Sequence, residues 1–428
     1  MTIDAIHSLF LECSTVSTDT RKIEKDCLFV ALKGEKFDAN TFAKEALEKG
    51  AKYIIIDNPT YYINEKTILV NNSLETLQEL AKFHRKQIGL PIIALTGSNG
   101  KTTTKELIHA VLSKKYNTVA TIGNLNNHIG VPLTLLRFTQ NTEVGIVEMG
   151  ANHQKEIEFL CDIAQPDYGY ITNFGKAHLE GFGGIEGVIK GKSEMYSYLE
   201  KNNKLAFVNL DDAIQNEKTK TLKRYSFSIN ESNPNTQISS VEANPMVQIK
   251  YKNHTINSHL IGIYNANNIN AAIAIGNYFR VPDELIKEAI ENYIPENNRS
   301  QMIHKNGNEI ILDAYNANPS SMSAAIANFI QLDKPNKIAI LGDMFELGEE
   351  SLAEHKKVIQ LVEKETEITT YFIGKDFFAN KTNNSHILFF EDFNAFSKHL
   401  TEKRPTNHLI LIKGSRGMAL EKIGRAHV

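Results

Sequence analysis

At roughly 150 residues per domain, a chain of 428 residues predicts about three domains. Its 47 basic and 50 acidic side chains leave a net charge of −3, so no basic excess points to a nucleic-acid partner. With 42% hydrophobic and 23% charged residues the composition is that of a folded globular chain and excludes a disordered or fibrous one. The start, MTIDAIHSLF, carries Asp4 and lacks the basic and apolar runs of a signal peptide. No apolar stretch reaches the roughly 20 residues of a membrane span. The cysteines, Cys13, Cys27 and Cys161, are odd in number and widely spaced, which fits a reducing compartment. A cytoplasmic protein, monomeric and with no membrane insertion, is expected.

In chain order, residues 1–88 predict a small N-terminal α/β block. Cys27–Leu32 and Tyr53–Ile56 read as buried strands, and Thr41–Lys49 and Leu74–Gln87 as helices. Gly89-Leu90-Pro91 reads as a linker. From Ile92, strands (Ile92–Leu95, Val144–Met149, Tyr168–Thr172, Leu205–Asn209) alternate with helices (Lys101–Lys115, one from about Gln154, Ile185–Leu199), the pattern of a mostly parallel sheet. Residues 224–261 alternate polar and apolar and predict added antiparallel strands. Helices follow at Asn267–Tyr278 and Asp283–Asn292. A second alternating run, with strands at Ile310–Leu312, Lys337–Leu341, Tyr371–Ile373, Ile387–Phe389 and His408–Ile412, predicts a Rossmann-like doubly wound C-terminal domain. The expected division is 1–88, 89–296 and 297–428.

Chemistry is concentrated at Gly97-Ser98-Asn99-Gly100-Lys101-Thr102-Thr103, between an apolar strand and a helix. Glycines let a backbone approach phosphates, and helix N-terminal N–H groups bind the anion. Lys101 would reach the outer phosphates and the Thr102 hydroxyl a magnesium ion. The full G-x-x-x-x-G-K-[ST] string fails, because Leu95 stands where its first glycine would be. Glu148, at the end of an adjacent strand, is placed to hold that ion. Glycines 181, 183, 184 and 187 do not form a dinucleotide fingerprint, because residue 186 is Glu.

The shortened loop resembles that of the Mur ligases and folylpolyglutamate synthetases, ATP-dependent amide ligases that activate a carboxylate as an acyl phosphate. The resemblance implies further roles. Lys101, Glu148, His178 and Lys192 would be catalytic. Thr102, Glu148, His178 and a carbamylated Lys192 would hold two Mg²⁺ ions. Asn268, in Tyr264-Asn265-Ala266-Asn267-Asn268, would contact adenine, although Tyr264 replaces the usual His. Arg299 and Asp313 would take phosphate and ribose.

The string from Ser17 through Arg21, with Cys27 through Asp38, resembles the UDP-binding domain of the Mur ligases, which folylpolyglutamate synthetases lack. Thr18, Asp19, Thr20, Arg21, Ala31, Lys33 and Gly34 would bind the uridine diphosphate. Strings at 123–132, 313–322, 341–348 and 413–418 resemble the member of the family that adds D-alanyl-D-alanine to UDP-N-acetylmuramoyl-tripeptide. They carry Asn126, Asn127, Tyr315, Asn316, Lys413 and Arg416 as substrate residues, together with Asn152 and His153 beyond Glu148. His128 departs from the acidic residue common at its position. The D-N-P-R signature of the diaminopimelate-adding member is absent from the C-terminal part. Two alternatives remain at this point: a Mur-type ligase that adds a single amino acid, and a nucleotide-driven switch or transporter.

Overall fold

The structure is a computed structural model that describes residues 1–296 and 298–423. Asn297, the first residue of the expected C-terminal domain, lies outside the described residues.

The apolar run Ile92–Thr96 is buried along its whole length, so both faces of its sheet must be covered. Ile93 and Leu95 pack with Leu107, Ile108 and Val111 of the helix Lys101–Leu112 and with Ile269 and Ile273 of Ala266–Tyr278. Ile92 and Ala94 share the opposite core with Leu160, Met195 and Leu199, from the helices Glu156–Ala164 and Ile185–Lys201. The strand sits inside a seven-stranded sheet whose order is Thr236–Gln237, Lys223–Ser228, Leu205–Asn209, Tyr168–Ile171, Ile92–Thr96, Val144–Glu148, Thr118–Ala120. Every pairing in it is parallel. Thr96 and Glu148 therefore end side by side at the same edge of the sheet.

One part of the expected pattern is corrected. Lys223–Ser228 and Thr236–Gln237 extend the parallel sheet. Within 224–261, Ser240–Ala243, Met246–Tyr251 and His254–Ile261 run antiparallel, as a sheet of their own. Polar–apolar alternation reports a strand with one solvated face, which is commonest in antiparallel sheets but also fits the part-exposed outer strands of this parallel one.

The N-terminal sheet is four-stranded and parallel, in the order Val16–Ser17, Leu28–Val30, Tyr53–Ile56, Thr67–Leu69. Its last helix, Ser73–Ile88, stops at Gly89, whose φ of 69° suits a residue without Cβ. Arg85 fastens that helix to the central sheet, donating to the carbonyls of Ala164 and Gln165 and pairing with Asp167 at 2.8 Å. Gly89–Pro91 is thus a helix stop beside a docked helix.

The C-terminal sheet has the order Gln301–Lys305, Asn308–Asp313, Leu409–Lys413, Lys337–Gly342, Ile368–Ile373, Ile387–Phe390. It is parallel apart from the edge strand Gln301–Lys305. No described helix is long and apolar enough to cross a membrane.

Candidate active site

The loop after Thr96 turns because two glycines take conformations that side chains resist. Gly97 has φ of 142°, and a Cβ there would lie 2.0 Å from Thr172 Oγ1. Gly100 has φ of 78° and packs on Asn268. Gly100 caps the helix Lys101–Leu112 without a side-chain hydrogen bond, so the first-turn N–H groups face the loop. Ser98 donates its hydroxyl to Gly175 O, and the Asn99 N–H donates to Asn173 Oδ1 at 3.1 Å. Lys101 Nζ folds back on Gly97 O at 2.8 Å. Burial pushes the Lys101 ammonium below its usual range, and nearby Arg299 pushes the same way against Glu148.

Glu148 is buried. Its Oε1 accepts from Thr102 Oγ1 at 3.3 Å and from Asn126 Nδ2 at 2.8 Å, while Oε2 is buried with no hydrogen-bond partner. A buried carboxylate oxygen without a partner, beside a threonine hydroxyl, fits a hard divalent cation such as Mg²⁺.

Lys192, on the helix Ile185–Lys201, is 1% exposed. Its Nζ donates to Ala151 O at 3.1 Å and lies 5.0 Å above the Phe182 ring. Burial first, and then Lys101, drive its ammonium far below the usual range. An ammonium cannot ligate a cation, but a neutral amine is the form that takes up CO₂, and the resulting carbamate offers anionic oxygens.

His178 follows the strand Tyr168–Ile171, in a left-handed conformation with φ of 53°. Its Nδ1 is hydrogen-bonded to Glu346 Oε2 of the C-terminal unit.

That unit stands over the loop. Asn318 Nδ2 donates to Asn99 Oδ1 at 2.7 Å, Lys176 N–H donates to Ser320 Oγ, and Lys176 pairs with Glu354. Arg299 stacks on Tyr315 at 3.6 Å from the ring centroid, and Arg416 approaches the same ring and donates to its hydroxyl. Two guanidiniums on one aromatic ring form a cationic wall. Neither Arg416 nor Glu346 could be placed here from spacing alone.

Several expected site residues are engaged within the protein. Asn268 Oδ1 accepts from Thr104 Oγ1 and its Nδ2 donates to Asn265 Oδ1. Asn127 Oδ1 accepts from the Ile129 and Gly130 N–H groups at the entry to the helix Gly130–Leu135. The backbone N–H groups of Asn152 and His153 both donate to Glu156.

Asp313 and Lys413 sit on neighbouring strands in register, 2.6 Å apart, and Lys413 also donates to Asn316 O. Lys413 is 2% exposed. Replacing Lys413 by Met leaves the partly buried Asp313 carboxylate without its ion-pair partner and is expected to cost about 2 kcal/mol in chemical denaturation.

In the N-terminal block the loop Thr18–Arg21 is exposed at its tip. Asp19 is paired bidentately by Arg21, which holds the carboxyl down to about 2. Ala31 is buried. Lys33 and Gly34 form a two-residue strand, and Lys33 pairs with Asp57 at 3.0 Å.

The sequence matches the family models of the Mur ligase catalytic domain over residues 12–85, the Mur ligase middle domain over 95–276 and the Mur ligase glutamate ligase domain over 298–416. The chain belongs to the Mur ligase family. It is 36% identical over 421 residues to the UDP-N-acetylmuramoyl-tripeptide–D-alanyl-D-alanine ligase of Bacillus subtilis, covering 95% of this chain and 92% of that one. Its fold superposes on MurF from Acinetobacter baumannii with a TM-score of 0.86 at 30% identity, covering 99% and 98% of the two chains. It superposes on the MurF ligase of Thermotoga maritima, solved in complex with ADP, with a TM-score of 0.84 at 26% identity over 97% of each chain. As a Mur ligase the chain is an enzyme, and the sequence reading of a three-part α/β architecture holds.

Proposed function

We propose that this enzyme joins D-alanyl-D-alanine to the terminal carboxylate of UDP-N-acetylmuramoyl-tripeptide, using ATP and giving UDP-N-acetylmuramoyl-pentapeptide, ADP and phosphate. One observation carries the reading. The phosphate loop, the partnerless Glu148 oxygen and the buried Lys192 occur in a chain that resembles dipeptide-adding ligases along nearly its whole length.

Residues 1–88 hold the uridine diphosphate, with Thr18, Thr20, Arg21 and the 31–34 loop against it. Residues 89–296 hold ATP on Gly97–Thr103, and residues 297–428 close over the dipeptide. A carboxylate is a poor electrophile. Its oxygen attacks the γ-phosphorus, the bond to ADP breaks, and an acyl phosphate forms. The dipeptide amine then attacks the acyl carbon, loses a proton and expels phosphate.

Lys101 swings from Gly97 O onto the phosphates and offsets the charge that develops in transfer. Arg299 and Arg416 supply further positive charge from the Tyr315 wall, Asn268 contacts the adenine, and Asp313 the ribose. Thr102, Glu148, His178 and the carbamate of Lys192 would hold two Mg²⁺ ions. When bound, these ions neutralise phosphate charge and align the acceptor. Docking of the C-terminal unit excludes water from the acyl phosphate. Tyr315 and Asn316 lie on the face that covers the dipeptide.

The test is phosphate release by the purified enzyme with ATP and Mg²⁺, the two substrates added singly and together, and mass spectrometry of the product. Release that requires both, with a UDP-pentapeptide product, is expected. Turnover with a single free amino acid on a UDP-dipeptide would instead identify a neighbouring ligase. Hydrolysis indifferent to muramyl substrates would return the switch class.

A further inference from the structure

His178 and Glu346 reach one another from different sheets, His178 beyond the strand Tyr168–Ile171 and Glu346 beyond Lys337–Gly342. Besides the side-chain contact, the Glu180 N–H donates to Glu346 O at 3.3 Å. Both residues are left-handed, with φ of 53° and 63°. A residue with a Cβ holds that conformation at a cost, and such strain gathers where geometry serves function.

The loop carrying Glu346 is pinned on several sides. The Asp343 carboxylate accepts the N–H groups of Asp376 at 3.1 Å and Phe377 at 3.0 Å. Met344 N–H donates to His355 Nε2 at 3.0 Å, and Phe345 N–H donates to Ser415 Oγ at 2.9 Å. His355 Nδ1 donates to Ser351 O at 2.7 Å, so both ring nitrogens are spent. The Asp343–His355–Asp376 group, buried at its first two members, is therefore a scaffold for this loop, not a cation site.

We propose that Glu346 is a positioning residue for His178. By accepting the Nδ1 proton it fixes the imidazole tautomer and leaves Nε2 with the lone pair that a cation needs. Histidines that bind metals commonly donate their other N–H to a carboxylate, and loss of that partner weakens the metal. Here the carboxylate comes from the C-terminal unit, so the histidine is oriented only while that unit is docked. Phosphoryl transfer is thereby coupled to closure of the cleft, and ATP is protected from reaction with water in an undocked enzyme. This inference rests on the reading of His178 as a cation ligand.

The experiment titrates Mn²⁺ into the full-length enzyme with a non-hydrolysable ATP analogue and reads free Mn²⁺ by electron paramagnetic resonance. Wild type is expected to bind two ions per chain. Glu346→Ala is expected to weaken the weaker ion by about tenfold or more and to lower turnover in parallel, with Glu346→Asp recovering part of both. Unchanged circular dichroism for Glu346→Ala and Glu346→Gln separates this effect from misfolding. His178→Ala is the control. Two ions at wild-type affinity in His178→Ala would remove the ligand reading of the histidine itself. Loss of the weaker ion in His178→Ala with both kept in Glu346→Ala would overturn the role of Glu346 alone. Faster turnover in Glu346→Ala would make the contact a restraining latch and overturn it as well.

Discussion

Lys101→Met is expected to lower ligase turnover on the order of 10³-fold, because on the proposed reading the group removed is the lysine that meets the phosphates. The Lys101 ammonium rests on Gly97 O and is depressed by burial, with Glu148 raising and Arg299 lowering it further. A polyphosphate reverses that balance. Transfer of the γ-phosphoryl group spreads charge over its oxygens, and on the proposed reading Lys101 meets that charge once it has left Gly97 O. Methionine keeps the aliphatic stem, so thermal stability should stay close to wild type. The check is phosphate release with both substrates, alongside a melting curve. Turnover within tenfold of wild type would mean that first-turn N–H groups and Arg299 carry the transfer instead.

The loop was legible in the sequence for a physical reason. Gly97 and Gly100 are the only residue type that fits against Thr172 and Asn268 at positive φ, and a strand must deliver them and a helix must receive them. The place of Glu148 was legible because the end of a parallel strand next to such a loop stands beside its first helical turn, where Thr102 meets it.

What could not be read depends on contacts across long stretches of chain. Asp313 and Lys413 are separated by 100 positions and meet only through parallel register. The strand Gln301–Lys305 went unread because it is a half-buried edge strand with a polar composition. Asn127 illustrates a different limit, because the amide that could grip a substrate can equally bind the backbone of its own turn, and spacing does not distinguish the two. Glu346 was visible only as one letter of a string. Its meaning depends on the docking of two sheets, which no local pattern encodes.

Lys192→Met is expected to abolish ligation and at the same time to stabilise the metal-free enzyme in CO₂-free buffer near neutral pH. The side chain is buried with one carbonyl partner, and burial holds its pKa well below that of an unfolded lysine. Between the folded and unfolded pKa values the unfolded chain binds the extra proton, so the wild type loses stability as pH falls through that window. Methionine has no such proton, and its thioether fills a similar volume against Phe182. The stability gap should therefore be widest near neutral pH and shrink as pH rises toward the unfolded lysine pKa of about 10.4, which melts at several pH values would follow. Added bicarbonate acts on the wild type alone. Carbamylation consumes the neutral amine, replaces a costly buried base with an anion close to Lys101, and should raise both turnover and melting temperature. A ¹³C resonance from labelled bicarbonate, absent in Lys192→Met, would place the carbamate on this side chain. A wild type whose turnover ignores CO₂ removal and bicarbonate alike would mean that Lys192 serves as an amine. Its burial would then need an explanation in the packing of Phe182 and Ala151.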